Sequence, residues 1–188
     1  LITAPLQNPN NAPAYLNFGG GTLAPSGDSA LFVPGNMAGV YSFGAFGAFA
    51  GGAVIDSNGK AITIPAAIRA PAGQGVAAIS LANQGLGYIG EPYVSIESGS
   101  GTGATAVANM VDDGTGRGTF KVASVTVTCP GVGYDAAPTV LFKGGGFGSV
   151  TAQVGTVTLA PNTSGGLTKL GAGTLTLLGA NTYTGATT

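Results

Sequence analysis

The chain has 188 residues, a formal net charge of −1, 7% charged residues and 44% hydrophobic ones. That balance is the reverse of what keeps a chain disordered, and six Lys and Arg residues spread singly cannot build the clustered basic face that nucleic acid requires. Thirty-five glycines without a G-X-Y period exclude a collagen helix and leave an all-β chain with many tight turns, as one elongated domain or two small ones.

Residues 1–15 open with a short apolar run and then turn irregular, because Pro5, Pro9 and Pro13 prevent a helix or a central strand. Leu1 is not a Met, and no signal peptide precedes it, so the chain reads as a processed form or a segment of a longer protein. Leu16–Leu23 and Ala30–Val33 are strand candidates on either side of a Pro-Ser-Gly-Asp turn at 25–28. Val40–Ile55 is the longest apolar run, but it is Gly-rich and too poor in aliphatic bulk to span a bilayer. Its Phe43, Phe46 and Phe49 recur every third residue, which suits a short helical turn or a loop packing aromatics on the flank of the fold. Ala53–Asp56 and Ala61–Ile64 are strands about Ser57-Asn58-Gly59, a sequence suited to positive φ that serves a hairpin or a corner equally.

Residues 76–154 hold an internal duplication: 76–108 lies over 122–154 without a gap. Gly85, Gly87, Tyr88, Pro92, Val94, Gly99, Thr105 and Ala106 fall on Gly131, Gly133, Tyr134, Pro138, Val140, Gly145, Thr151 and Ala152. Each copy reads strand, G-x-G-Y turn, Pro, strand, Gly-rich turn, strand, giving six strands in all. The matched Tyr and Pro are placed to stack while the Tyr hydroxyl reaches a backbone group. The run from Asp112 to Gly118 links the copies as an exposed turn, and Val157–Leu159 then leads back into the first part of the fold.

The last residues, 165–188, read GGLTKLGAGTLTLLGANTYTGATT. Thr and Leu alternate with period 2 in short strands, interrupted by Gly171, Gly173, Gly179 and Gly185 at corners expected to need positive φ. This stretch resembles the autotransporter-associated β-strand repeat, or passenger-associated transport repeat, of large bacterial surface and secreted proteins. The order G-L-T-K-x-G-x-G-T-L-T-L-x-G-x-N-x-Y-x-G carries the resemblance, and residues 16–23 and 51–59 look like companion segments. The resemblance implies an extracellular, cell-surface location and a parallel β-solenoid, and it favours the corner over the hairpin at Ser57–Gly59. The expected fold class is therefore all-β: a parallel β-solenoid scaffold with an inserted, internally duplicated β module. Its parts are an N-terminal solenoid part (1–75), the module (76–154) and the C-terminal repeat (155–188).

Catalytic chemistry is scarce. Without His, a Ser or Cys nucleophile lacks its usual base, and no G-x-S-x-G is present. The seven acids include no pair placed to converge as a glycosidase requires. No enzymatic activity and no cofactor are expected. Asp112 and Asp113 form a weak Ca²⁺ candidate lacking the further carboxylates of a dedicated site. The Gly-rich stretches 99–103 and 144–148 are turns rather than phosphate loops. Cys129, the sole cysteine, reads as a small residue at a strand end, with an interchain bridge as the alternative.

A solenoid end exposes a strand edge and needs a cap or a neighbour. Leu1, Ile2 and Thr3 at one end, and Tyr183, Thr184, Thr187 and Thr188 at the other, are accordingly the candidate subunit interface. The expected function is a structural subunit or repeat unit of an extracellular bacterial filament or surface layer. Its partners are other copies joined head to tail, or adjoining repeats of a longer chain, with no nucleic acid and no membrane insertion. The alternative is an adhesin passenger module presenting Tyr88 and Tyr134 to a glycan or host surface.

Overall fold

The structure, a computed structural model, describes residues 1–97, 99–146 and 150–188. The regular elements among them are all strands: β1 (Ile2–Thr3), β2 (Tyr15–Phe18), β3 (Thr22–Pro25), β4 (Gly39–Ser42), β5 (Ala53–Asp56), β6 (Ile62–Ile64), β7 (Ile68–Arg69), β8 (Gln74–Asn83), β9 (Tyr93–Glu97), β10 (Thr105–Asp112), β11 (Phe120–Cys129), β12 (Thr139–Lys143), β13 (Gln153–Pro161), β14 (Leu167–Leu170) and β15 (Leu175–Leu177). They divide into two compact units, Leu1–Pro71 with Thr163–Thr188, and Ala72–Asn162.

The second unit thus runs to residue 162. Val157–Leu159, expected back in the first part of the fold, lie in β13 and pair antiparallel with β8, Val157 opposite Ile79 and Leu159 opposite Val76. Alternation marks a strand but not its partner.

In the first unit the named strands pair in parallel, with antiparallel pairing confined to the single bridges Phe43–Ser164 and Phe46–Phe49, and three rows of strands repeat along the chain. One row is β1-β3-β5-β14, with Ile2 opposite Ala24, Leu23 opposite Ile55 and Lys169 opposite Ile55. A second joins β6 to β15 and is extended by backbone bonds from Thr63 N–H to Ser29 O, Phe32 N–H to Thr63 O and Leu6 N–H to Phe32 O. The third is β2-β4-β7, which Thr182 continues by donating to Ile68 O at 2.9 Å. Leu23, Ile55 and Leu167 of the first row, Ile62 and Ile64 of the second, and Phe18, Val40 and Ile68 of the third bury in one core. Each such burial contributes roughly 1.5–3 kcal/mol.

The corner reading of Ser57-Asn58-Gly59 holds: β5 and β6 pair with β14 and β15 and not with each other. Asn58 and Gly59 sit at φ 50° and 71°. Fully buried Ser57 donates its hydroxyl to Leu170 O (3.0 Å), and Asn58 Nδ2 reaches Pro25 O (3.1 Å), so polar groups tie successive corners together. The Leu16–Leu23 candidate splits into β2 and β3 at Gly20, where φ is 108°. Ala30–Val33 buries Phe32 and Val33 but forms no strand, since its ladder is confined to single bonds about Phe32. Between β4 and β5 the chain makes the expected aromatic loop, closed by reciprocal backbone bonds between Phe46 and Phe49 (3.1 and 2.8 Å). The Phe43 ring is buried 6.0 Å from that of Phe46.

The second unit is antiparallel. Its four-stranded sheet runs β11-β10-β9-β12, and β13 pairs with β8. β8 and β11 meet near both ends through Val76 N–H to Pro130 O (2.8 Å) and Val122 N–H to Gln84 O (2.9 Å). A local twofold relates the copies: Val94 faces Phe142, Ser95 faces Leu141 and Ile96 faces Val140. The gapless alignment fails at the third strand. Thr105 stands opposite Cys129 as Gln153 stands opposite Asn83, so Thr105 and Ala106 correspond to Gln153 and Val154, two residues beyond Thr151 and Ala152. The connection from β12 to β13 is longer than that from β9 to β10 by those two residues. Part of it, including Gly148 of the expected turn, lies outside the described residues.

Candidate functional site

The repeat-like segment gives each of its distinctive residues a task. Leu167 is core, and Leu175 and Leu177 pack against that core. Lys169 turns its ammonium onto the corner, donating to the Ser57 hydroxyl (3.3 Å) and to the carbonyls of Leu170 and Gly171. Asn181 Oδ1 accepts the Ile68 N–H at 2.8 Å, standing in for a ladder bond where β7 begins. The Tyr183 ring lies against the core and its hydroxyl meets that of Thr187 at 2.8 Å.

The glycines of this segment act differently from expectation. Gly171 does adopt positive φ (76°), but Gly173, Gly179 and Gly185 do not. They are small because backbone lies against them: a Cβ on Gly179 would sit 2.5 Å from the Ala67 nitrogen, and one on Gly173 2.5 Å from that of Lys60. Close stacking of one pass on the previous one requires them.

The candidate interface residues lie on the outermost segments of the first row. Among the described residues β1 is bonded only on its β3 side, and Leu1 and Ile2 are 81% and 68% exposed while Thr3 is half-buried. The Leu1 ammonium donates to Thr22 O (2.8 Å). At the other edge Thr187 forms a parallel bridge with Leu167, and Thr188 exchanges backbone bonds with Leu167 and Lys169 (2.9 and 2.8 Å). Thr188 and Thr168 hydroxyls touch at 3.1 Å, and Thr184 N–H donates to Ser164 Oγ. Residues 186–188 therefore begin a further strand of the same row. Tyr183 is half-buried, its ring against the core of its own unit.

Tyr88 and Tyr134, expected as exposed binding groups, are buried in the second core. The expected bond to backbone is present: Tyr88 Oη accepts the Ala152 N–H at 2.9 Å, and the Ala104 N–H meets Tyr134 in the same way. Each copy's Tyr reaches the residue just before the other copy's third strand, and burial raises the Tyr134 phenol above its ordinary pKa, the Ala104 bond partly offsetting this. The twofold turns these aromatics inward, because a ring on a short turn between facing copies fills the space between them.

Asp113 is taken up by its own loop and by the G-x-G-Y turn of the first copy. Its carboxylate accepts the Thr119 hydroxyl (2.7 Å) and the backbone N–H groups of Thr115 (2.9 Å) and Gly87 (3.1 Å), which hold it well below the usual carboxylate range. Asp112 accepts the Gly114 N–H at 2.7 Å. The carboxylates thus brace the loop's backbone, and no group of three or more His, Cys, Asp or Glu residues converges among the described residues. Cys129 is buried at the end of β11, as its size suits. No helix among the described residues is long and apolar enough to cross a membrane.

Sequence reasoning missed buried Ser42 and Ser57, whose hydroxyls donate to Gly166 O (2.7 Å) and Leu170 O. A polar residue at the end of an alternating strand is the signal, but a solvated turn carries the same one. Residues 167–188 match the family model described as Passenger-associated-transport-repeat. No curated protein and no solved structure matches the chain.

Proposed function

From its passenger-associated transport repeat, we propose that this chain is a structural segment of an extracellular bacterial filament or surface layer. The first unit is a β-solenoid whose ends stack head to tail on the next copy. The repeat supports a passenger context and export to the cell surface. The observation that supports the stacking is the parallel direction of the row's two outermost segments: β1, with exposed Leu1 and Ile2, and residues 186–188 against β14. Both edges belong to one row and run in one direction, so a second copy can continue the ladder without reversing. Joining unlike ends does not close on itself and yields a fibre.

Electron microscopy of the purified chain tests this. The expected result is filaments with a regular axial repeat of a few nanometres, lost in Ile2→Pro, which removes a donor and stiffens β1. Dispersed single-copy rods that persist at high concentration would sink the reading.

A further inference from the structure

The outward face of β9, β10 and β12 presents one aromatic ring to solvent. Tyr93 is 69% exposed, with Val107 of β10 and Lys143 of β12 as its cross-strand neighbours. Val94 and Ala106, the next residues along, point into the core, so the ring stands on a sheet anchored from beneath. Across β10 and β11 lies a row of fixed polar groups. Asn109 Nδ2 donates to Ser124 Oγ (3.0 Å) and Thr126 Oγ1 (2.8 Å). This spends both amide hydrogens and leaves Asn109 Oδ1 as an acceptor and the two hydroxyls as donors. On the β12 side Glu97 and Lys143 form an ion pair, and Ser95 Oγ donates to Glu97 at 2.8 Å. Beside Tyr93 the charges of β9 and β12 are thus a neutralised pair.

We propose that this face binds a neutral polysaccharide, one sugar ring stacking on Tyr93 and its hydroxyls exchanging hydrogen bonds with Asn109, Ser124 and Thr126. A pyranose offers an apolar C–H face and a rim of hydroxyls. A flat ring beside pre-ordered donors and acceptors complements both at little ordering cost. Charge decides against the other occupants. The cation beside Tyr93, Lys143, is already neutralised by Glu97, so an anionic glycan or nucleic acid gains little there. A stable protein partner wants about 800 Å² with an apolar centre, whereas the exposed apolar groups Tyr93, Val107, Val111 and Leu141 are dispersed among polar ones. The proposal stands independently of the stacking reading, because it concerns the second unit alone.

Saturation-transfer NMR on the full chain, assembled or not, tests it with cellohexaose, laminarihexaose, mannohexaose and maltohexaose, and with a sulfated hexasaccharide as the anionic comparison. The expected result is saturation of at least one neutral hexasaccharide, with affinity reduced roughly tenfold in Tyr93→Ala and kept in Tyr93→Trp. The exposed position lets both variants fold, which an unchanged urea midpoint verifies. Saturation of none of the five, of the sulfated one alone, or unchanged binding by Tyr93→Ala would overturn the proposal.

Discussion

Neighbouring glycines in the second unit separate two reasons for having no side chain. Gly131 and Gly133 both adopt positive φ (70° and 74°), but a Cβ on Gly131 would lie 2.5 Å from the Ala104 nitrogen and 2.9 Å from the Tyr134 ring, while one on Gly133 meets nothing. Gly133→Ala should therefore cost only backbone strain, about 1 kcal/mol, and Gly131→Ala about 3 kcal/mol once overpacking is added. Urea unfolding of the two variants side by side checks the ordering. Asp113 supplies a pH signature at the same scale. Its folded pKa is depressed, so the stabilisation is complete above the ordinary carboxylate range and lost as pH falls through and below that range. The protection of the Gly87 and Thr115 amides from exchange, taken relative to free peptide at each pH, should fall on acidification as their shared acceptor protonates, and Asp113→Asn should flatten that dependence.

Among elements, the parallel passes of the first unit depend on backbone lying against backbone. Gly179→Ala would wedge a methyl against Ala67 with no flexible side chain to yield, and we expect a loss of about 2–3 kcal/mol. Its readout is the urea midpoint of the first unit, which should fall while the second unit's holds. The Asn181 bond to Ile68 is a separate joint between passes. Asn181→Ala leaves a backbone N–H without its acceptor, at a cost of about 1–3 kcal/mol, and should raise amide exchange at Ile68.

For the whole molecule, each unit has its own core and its own ladders, and the second begins and ends at one place. Asn162 N–H donates to Gly73 O at 2.9 Å, and Asn162 Nδ2 to Ala72 O at 3.3 Å. Joined ends of this kind mark an insertion that closes its own loop. Residues 72–162 expressed alone should fold with a cooperative urea transition and a β-type circular dichroism spectrum. The remaining chain, bridged by a short Gly-Ser linker, should keep its own transition.

Local chemistry decided much of this protein from the sequence by itself. Period-2 alternation marks strands such as β5, β14 and β15, Asn58-Gly59 marks a turn with positive φ, and the duplicated G-x-G-Y segments mark one structural unit used twice. The terminal motif identified its repeat because Lys169 and Asn181 bond the neighbouring pass while Leu167 and Tyr183 pack on the core, which restricts the residues at those positions. Partners and faces were decided by the tertiary structure. A strand of alternating residues is equally fit for a parallel or an antiparallel neighbour, which is why Val157–Leu159 read as belonging to the wrong unit. A Tyr in a turn is equally fit for solvent or for a core, and only the twofold meeting of the two copies buried Tyr88 and Tyr134 while leaving Tyr93 outside. The physical reason is the same in each case: backbone conformation is set within a few residues, whereas burial and pairing depend on segments brought together from far along the chain.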